Sequence, residues 1–167
     1  MERIAKFHKV SYEQFCSAYS AATKECYENI KLPHRATVGS AGYDFYAPFD
    51  FTLAPGEEIT IPTGIRAEIE NGYVLLIYPR SGLGFKFRLT LNNTVGVIDS
   101  DYFYSDNEGH IMVRMTNCHN EKTVSVSAGQ GFAQGIFMPF GITIDDETDG
   151  IRNGGFGSTT PWVDLYE

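Results

Sequence analysis

The sequence is short of cationic side chains and of cysteine, and it has no long apolar run; each shortage excludes something. Lys and Arg number 13 against 21 Asp and Glu, a formal net charge of -8. A protein that grips a nucleic-acid backbone needs a basic footprint, so that class is excluded and no nucleic-acid partner is expected. A small anionic substrate stays open, because a few placed arginines outweigh the global field at short range. The three cysteines, Cys16, Cys26 and Cys118, form no Cys-x-x-Cys pair, and an odd number cannot all close within the chain. Reduced thiols in a cytoplasm are expected. Cys118-His119 could be half of a metal site, but no second cluster with ligand spacing follows, and His8, His34 and His110 are scattered. No apolar run approaches the ~18 residues of a membrane span, and the charged start Met1-Glu2-Arg3 has no secretory h-region. The expectation is a soluble cytoplasmic protein without a membrane partner. Internal repeats and low-complexity tracts are lacking as well.

What is present suits one folded domain. The 167 residues, 43% hydrophobic and 20% charged, are enough to bury a core without metal or disulfide staples. Residues 1–31 differ from the rest and are expected to form a strand/helix extension packed on the domain. Ser11-Tyr12-Glu13-Gln14 reads as a capping box, in which the Ser hydroxyl and the Gln side chain satisfy amides at a helix start. Phe15, Ala18, Tyr19, Ala22, Cys26 and Ile30 recur at steps of three and four, predicting one helix with a single apolar stripe. Pro33 ends it. From Gly42 onward the pattern turns to strands: 43–46, 49–53, 58–61, 65–69, 73–78, 88–91, 95–98, 110–116, 123–126 and 131–138. Pro55-Gly56, Pro62-Thr63-Gly64 and Asn71-Gly72 separate the first of these, and Asn-Gly predicts a type I′ hairpin. Short strands with turns every eight to twelve residues indicate an all-β sandwich or barrel.

Three stretches carry chemistry. In Asn93-Thr94-Val95-Gly96-Val97-Ile98-Asp99-Ser100-Asp101-Tyr102, Asp99 ends a short apolar strand, with an aromatic ring just beyond it. A carboxylate held there suits the activation of water beside a flat ligand, although a buried strand running into an acidic turn reads the same way. Arg80-Ser81-Gly82 follows the apolar strand 73–78. An Arg offers a fork of donors to phosphate oxygens, Ser a hydroxyl, and Gly a close backbone approach; the alternative is an ordinary Ser-Gly turn with a solvated Arg80. Arg152 to Thr159 is rich in glycine around Arg152 and Phe156, either a closing lid or a plain tail.

These stretches, with Ala36 to Asp44 and Gly129 to Gln134, resemble in order and separation the five motifs of the homotrimeric dUTPase family, from about Leu32 to Thr160. Any one motif alone would be weak; five in register are specific. That family hydrolyses dUTP to dUMP and pyrophosphate with Mg2+. The resemblance implies a jelly-roll-like β-barrel at 32–150 and a glycine-rich tail, 151–167, closing over the active site. It makes Asp99 the general base, and Arg80, Ser81, Gly82 and Gln134 phosphate ligands. Asp44 supports the phosphate and metal region, while Mg2+ is held by phosphates and waters rather than by the protein. Backbone groups of Asn93, Val97 and Ile98 read the uracil edge, Met112 lines the same pocket, and the Tyr102 ring lies against the deoxyribose. Phe156 stacks on the base, Arg152 grips the γ-phosphate and Gly157 belongs to the same closing tail. The family's trimer shares its sites: the first, second and fourth motifs come from one chain, the Asp99 hairpin from another and the tail from the third.

The chain also departs from the pattern. Gln130 and Gly131 replace the Asp and Arg usual in the fourth motif, Arg152 sits one residue closer to its Gly pair, and Thr160 replaces a glycine. A five-residue insertion lengthens the loop from Tyr102 to Gly109, with Asp106 and Glu108 forming an acidic tip. It is an inert surface loop or a site for a regulatory protein partner. Two rival functions remain at this level: the related dCTP deaminase, against which the intact Asp99 motif argues, and a regulatory binding protein on the same fold.

Overall fold

Alternating burial along short strands builds most of this molecule, whose computed structural model describes residues 2–150. The strands are β1 (Ala5–Lys9), β2 (His34–Arg35), β3 (Tyr43–Tyr46), β4 (Phe51–Leu53), β5 (Glu58–Pro62), β6 (Ile65–Ile69), β7 (Tyr73–Pro79), β8 (Leu89–Leu91), β9 (Gly96–Ile98), β10 (Met112–Asn117), β11 (Val124–Val126) and β12 (Gly131–Pro139). The helices are α1 (Tyr12–Ala18), α2 (Lys24–Glu28) and α3 (Ser81–Phe87), with a 3-10 turn at Ser100–Tyr104. All pairings are antiparallel: β2-β3-β12-β7-β9, β5-β10-β8, β1-β6 and β11-β4. This is the all-β, jelly-roll architecture expected, and the predicted strand runs fall on β3 to β12.

Period-two patterning explains the layers. On β10, Val113 and Met115 are buried while Arg114 between them is exposed; on β7, Leu75 and Ile77 are buried. These side chains meet Phe45, Ile61, Leu89, Ile98 and Phe132 in one core. Val10, Phe15 and Ile30 of the extension belong to the same core, and β1 pairs along the whole of β6. Burying a Phe such as Phe15 completely is worth about 3–5 kcal/mol against Ala, so the extension is part of the barrel's packing.

The opposite face of the large sheet is apolar too. Ile136 lies across from Leu76 and Leu76 from Val97, with Met138 across from Val74. Leu76 and Val97 each sit between two buried residues and Ile136 follows buried Gly135, so this row points outward, and Val97 is 50% exposed.

Three expectations are corrected. The stripe from Phe15 to Ile30 is two short helices rather than one, because the chain leaves α1 at Tyr19 in an extended conformation and Thr23 caps α2, its hydroxyl accepting from Cys26 N–H. Asn71-Gly72 does not close a hairpin: β6 pairs with β1, β7 with β12 and β9, and only Gly72 of the two has positive φ. The connection carries the chain from one sheet to another instead of folding it back. Finally, Arg80-Ser81-Gly82 opens α3, with Arg80 at the N-cap, where the alternative reading had an ordinary Ser-Gly turn.

Candidate functional site

Two clusters of the singled-out residues form, one across β3, β12 and β7 and one against β9. The first is polar. The register sets Gln134 of β12 directly between Asp44 of β3 and Tyr78 of β7. Arg80, one residue past the end of β7, turns back onto this row: its Nε lies 3.2 Å from Asp44 Oδ1 and its Nη1 3.5 Å from the Gly131 carbonyl. Gln134 donates to the Pro79 carbonyl at 3.1 Å. A β-carbon at Gly131 would lie 2.7 Å from Arg80 Nη1, so a side chain there would make the guanidinium shift. The guanidinium thus occupies the space that a larger fourth-motif side chain would take. Ser81 and Gly82 follow, exposed, ahead of the first backbone bonds of α3, which run from Leu83 and Gly84 to the Arg80 carbonyl.

The second cluster is a cavity of about 480 Å³ between the edge strand β9 and the β5-β10-β8 sheet. Asn93, Gly96, Ile98 and Met112 line it, together with Ile77, Leu91, Ile111 and Val113. A largely apolar pocket of this size suits one flat heterocycle. β9 pairs with β7 on one side only, so alternate residues of β9 direct backbone N–H and C=O groups away from β7. The turn entering β9 is tightly held: the Asn93 carbonyl accepts from Val95 N–H at 2.7 Å and from the Thr94 hydroxyl at 2.6 Å, with Thr94 at φ +64°. Such left-handed strain in a β-branched residue is typical of ligand-binding turns. On the rim, Glu58 pairs with Arg114 and accepts from the Asn92 amide, and these bonds hold its carboxyl below the usual range.

Asp99 follows β9 directly and heads the 3-10 turn. Val97 points its side chain to the outer face, away from the cavity, so only its backbone belongs to the β9 edge. Tyr102 lies in the 3-10 turn that follows Asp99. It is 1% exposed and does not line the cavity. Its hydroxyl donates to the His110 carbonyl and accepts from the Asn107 amide, each at 2.8 Å. The ring is a buried anchor of the turn that Asp99 heads. Glu108 is not part of an acidic tip; both its oxygens are engaged by Ser11. Arg152, Phe156 and Gly157 lie outside the described residues. Ile77, Leu91 and Ile111 carried no functional signal, because an apolar strand residue reads as core whether or not a ligand touches it.

The spacing between the clusters matters. Ile98 sits across from Leu75, whereas Arg80 lies beyond the far end of β7, which puts Asp99 and Arg80 roughly 20 Å apart along the strand direction. Within one chain they cannot meet at one phosphate.

An edge-strand pocket for a flat ring, with an arginine–carboxylate–glutamine cluster for an anion, defines a β-barrel enzyme of the nucleotide-handling class. The dUTPase family model matches residues 28–160. The deoxyuridine 5'-triphosphate nucleotidohydrolase of Lactococcus lactis is 44% identical over 144 residues, covering 84% of this chain and 95% of that protein. That of Tolumonas auensis is 44% identical over 136 residues, covering 77% and 86%. Among solved structures, the dUTPase of Streptococcus mutans superposes with a TM-score of 0.65 at 36% identity, covering 84% of this chain and 98% of that one. The dUTPase of phage phi11 of S. aureus shares the fold at a TM-score of 0.64 and 20% identity, covering 89% and 98%. The chain belongs to the dUTPase family.

Proposed function

We propose that this protein hydrolyses dUTP to dUMP and pyrophosphate, with Asp99 as the general base, at sites shared between the chains of a homotrimer. The observation that carries this reading is the position of Asp99 at the end of the edge strand whose backbone walls the 480 Å³ cavity. A uracil in that cavity meets the Asn93 turn and the free edge of β9. A fixed donor and acceptor pattern rejects cytosine, which would leave buried groups unpaired, and close packing by Ile98 and Met112 disfavours a 5-methyl group.

The Asp99 carboxylate accepts a proton from water and orients it. The water oxygen bonds to the α-phosphorus as the bond to the bridging oxygen breaks, and pyrophosphate leaves. Arg80, with Ser81, Gly82 and Gln134, holds the α and β phosphates, and Asp44 fixes the Arg80 guanidinium. Among the described residues no cluster of three or more His, Cys, Asp or Glu forms. A lone carboxylate near the phosphate cluster, Asp44, fits a magnesium ion that would take its ligands from substrate oxygens and water, and the bound ion would offset the charge of the leaving pyrophosphate. The S. aureus phage phi11 enzyme is described with a structural Mg(II) ion. Arg152, Phe156 and Gly157 are assigned, from the motif they match, to gripping the γ-phosphate and closing over the base.

The 20 Å gap supports the shared site, since Asp99 must be brought to Arg80 of another chain. The outward apolar row of Ile136, Leu76 and Val97 supports assembly. Such a face is costly in water and suits a subunit contact. No helix among the described residues is long and apolar enough to cross a membrane; placement in the cytoplasm is part of this proposal. The test is pyrophosphate release from dUTP, dTTP, dCTP and UTP with Mg2+. dUTP should be turned over at least about 10²-fold more efficiently than the others, and Asp99→Asn should bind dUTP yet lose about 10²-fold or more in turnover. Equal use of all four nucleotides, or normal turnover by the variant, would reject the reading.

A further inference from the structure

Asp99 heads a 3-10 turn whose buried anchor is Tyr102. The Tyr102 hydroxyl is bonded on both sides, to the His110 carbonyl and the Asn107 amide. Asn107 also accepts from Gly109 N–H at 3.2 Å, closing the inserted loop on itself. The closure is tight: Gly109 has φ +68°, and a β-carbon there would lie 2.7 Å from both Tyr102 O and Phe103 Cα. Between these residues Glu108 is held at φ +58°, a conformation that a β-carbon disfavours.

A long-range contact holds it. The Glu108 carboxylate accepts from Ser11 N–H at 2.7 Å and from the Ser11 hydroxyl at 2.6 Å, 97 residues away in the chain. Burial alone would push the Glu108 carboxyl up; the two Ser11 bonds and the Arg66 and His110 charges outweigh burial and hold it below its ordinary value. Ser11 is the N-cap of α1, its Oγ accepting from Gln14 N–H at 3.1 Å. Glu108 therefore supplies from the insertion the return bond that the capping box expects from Gln14. On the other flank Arg66 stacks on the Phe103 ring at 3.6 Å and donates to the Phe103 carbonyl.

We propose that Glu108 is a positioning residue for the Asp99 turn, and that the insertion and the N-terminal helix form one brace behind it. Glu108 ties the loop to α1, the loop fixes Tyr102, and Tyr102 fixes the turn that begins at Asp99. The proposal rests on Asp99 being the base. Arg80, Gln134 and the cavity residues stand outside the brace, so loss of Glu108 acts on turnover and leaves binding in place.

The experiment measures kcat and KM for dUTP in wild type, Glu108→Ala, Glu108→Gln, Ser11→Ala, Asp99→Asn and the Asp99→Asn/Glu108→Ala double variant, each checked by circular dichroism and assayed well below its unfolding temperature. Glu108→Ala should lower kcat about 10-fold and leave KM within about two-fold. Glu108→Gln, which keeps one acceptor, should recover part of the loss, and Ser11→Ala, which keeps the N–H donor, should lose less than Glu108→Ala. Added to Asp99→Asn, Glu108→Ala should cost nothing further, because both act through one group. Wild-type kcat in Glu108→Ala, or the same slowing in both backgrounds, overturns the proposal. If Glu108→Ala does not fold, Glu108→Gln and Ser11→Ala carry the same comparison in both backgrounds. Normal turnover by Asp99→Asn alone would overturn the base assignment, and it shows in an arm that does not involve Glu108.

Discussion

Protonation of His110 should set the acid limit of this fold. The ring is fully buried, and its Nε2 accepts from Gly64 N–H at 2.9 Å. That bond requires the proton on Nδ1, which has no hydrogen-bond partner among the described residues. Burial pushes the imidazole down from 6.5 to about 4, with the Glu108 carboxylate pulling the other way. The folded state therefore binds fewer protons than the unfolded chain between these values. The stability contribution is complete above pH 6.5, is lost progressively as pH falls towards 4, and changes no further below that. At 1.36 kcal/mol per unit the whole window is worth about 3 kcal/mol, and about 2 kcal/mol is gone by pH 5. This is a large share of a typical domain's 5–15 kcal/mol. The perturbation is His110→Gln, whose amide oxygen can accept from Gly64 N–H without titrating. Urea unfolding at pH 7.5 and 5.0, at one fixed protomer concentration, should show wild type losing about 2 kcal/mol more than the variant. An equal loss in both proteins would show that His110 does not set the acid limit.

Two further outcomes follow from the site. Tyr102→Phe leaves the His110 carbonyl and the Asn107 amide unpaired and should destabilise the fold by about 1–2 kcal/mol in denaturant titration. The ring itself is kept, so the preference for dUTP over UTP should stay at the wild-type value; a relaxed preference would show that the hydroxyl's bonds to His110 and Asn107 help to set the sugar specificity. Gly131→Arg drives a side chain into the space of the Arg80 guanidinium, so KM for dUTP should rise several-fold; an unchanged KM would show that Arg80 re-aims without loss.

The barrel was legible because alternation on its strands is local. Val113-Arg114-Met115 declares its two faces within three residues, and β3 and β6 match their predicted bounds. Features decided by distant contacts were not legible. Ser81-Gly82 reads equally as an ordinary turn, but the chain continues as α3, anchored by buried Leu83. Asn71-Gly72 carries a hairpin signal that loses to the pairing of β6 with β1. The stripe from Phe15 to Ile30 has helical spacing throughout, and nothing in that spacing shows the break before Thr23. In the site, the meeting of Asp44, Arg80 and Gln134 depends on the register across β3, β12 and β7, which local sequence cannot supply; the motif resemblance pointed to it. The bonds of the Tyr102 hydroxyl to Asn107 and the His110 carbonyl were not legible either, since they depend on how the inserted loop folds back. The Glu108–Ser11 contact joins two segments that each looked peripheral.

The most direct test of the shared site mixes two inactive chains. Asp99→Asn and Arg80→Ala each remove one half of every site, so each parent trimer should be nearly inactive. If a site takes Asp99 from one chain and Arg80 from another, random 1:1 mixing after co-expression leaves roughly a quarter of sites with both groups intact. Pyrophosphate release from dUTP by purified mixed trimers should then recover to about a quarter of the wild-type rate. Mixed trimers as inactive as their parents would show that Asp99 and Arg80 of a site belong to one chain, contradicting the 20 Å separation on which the account rests.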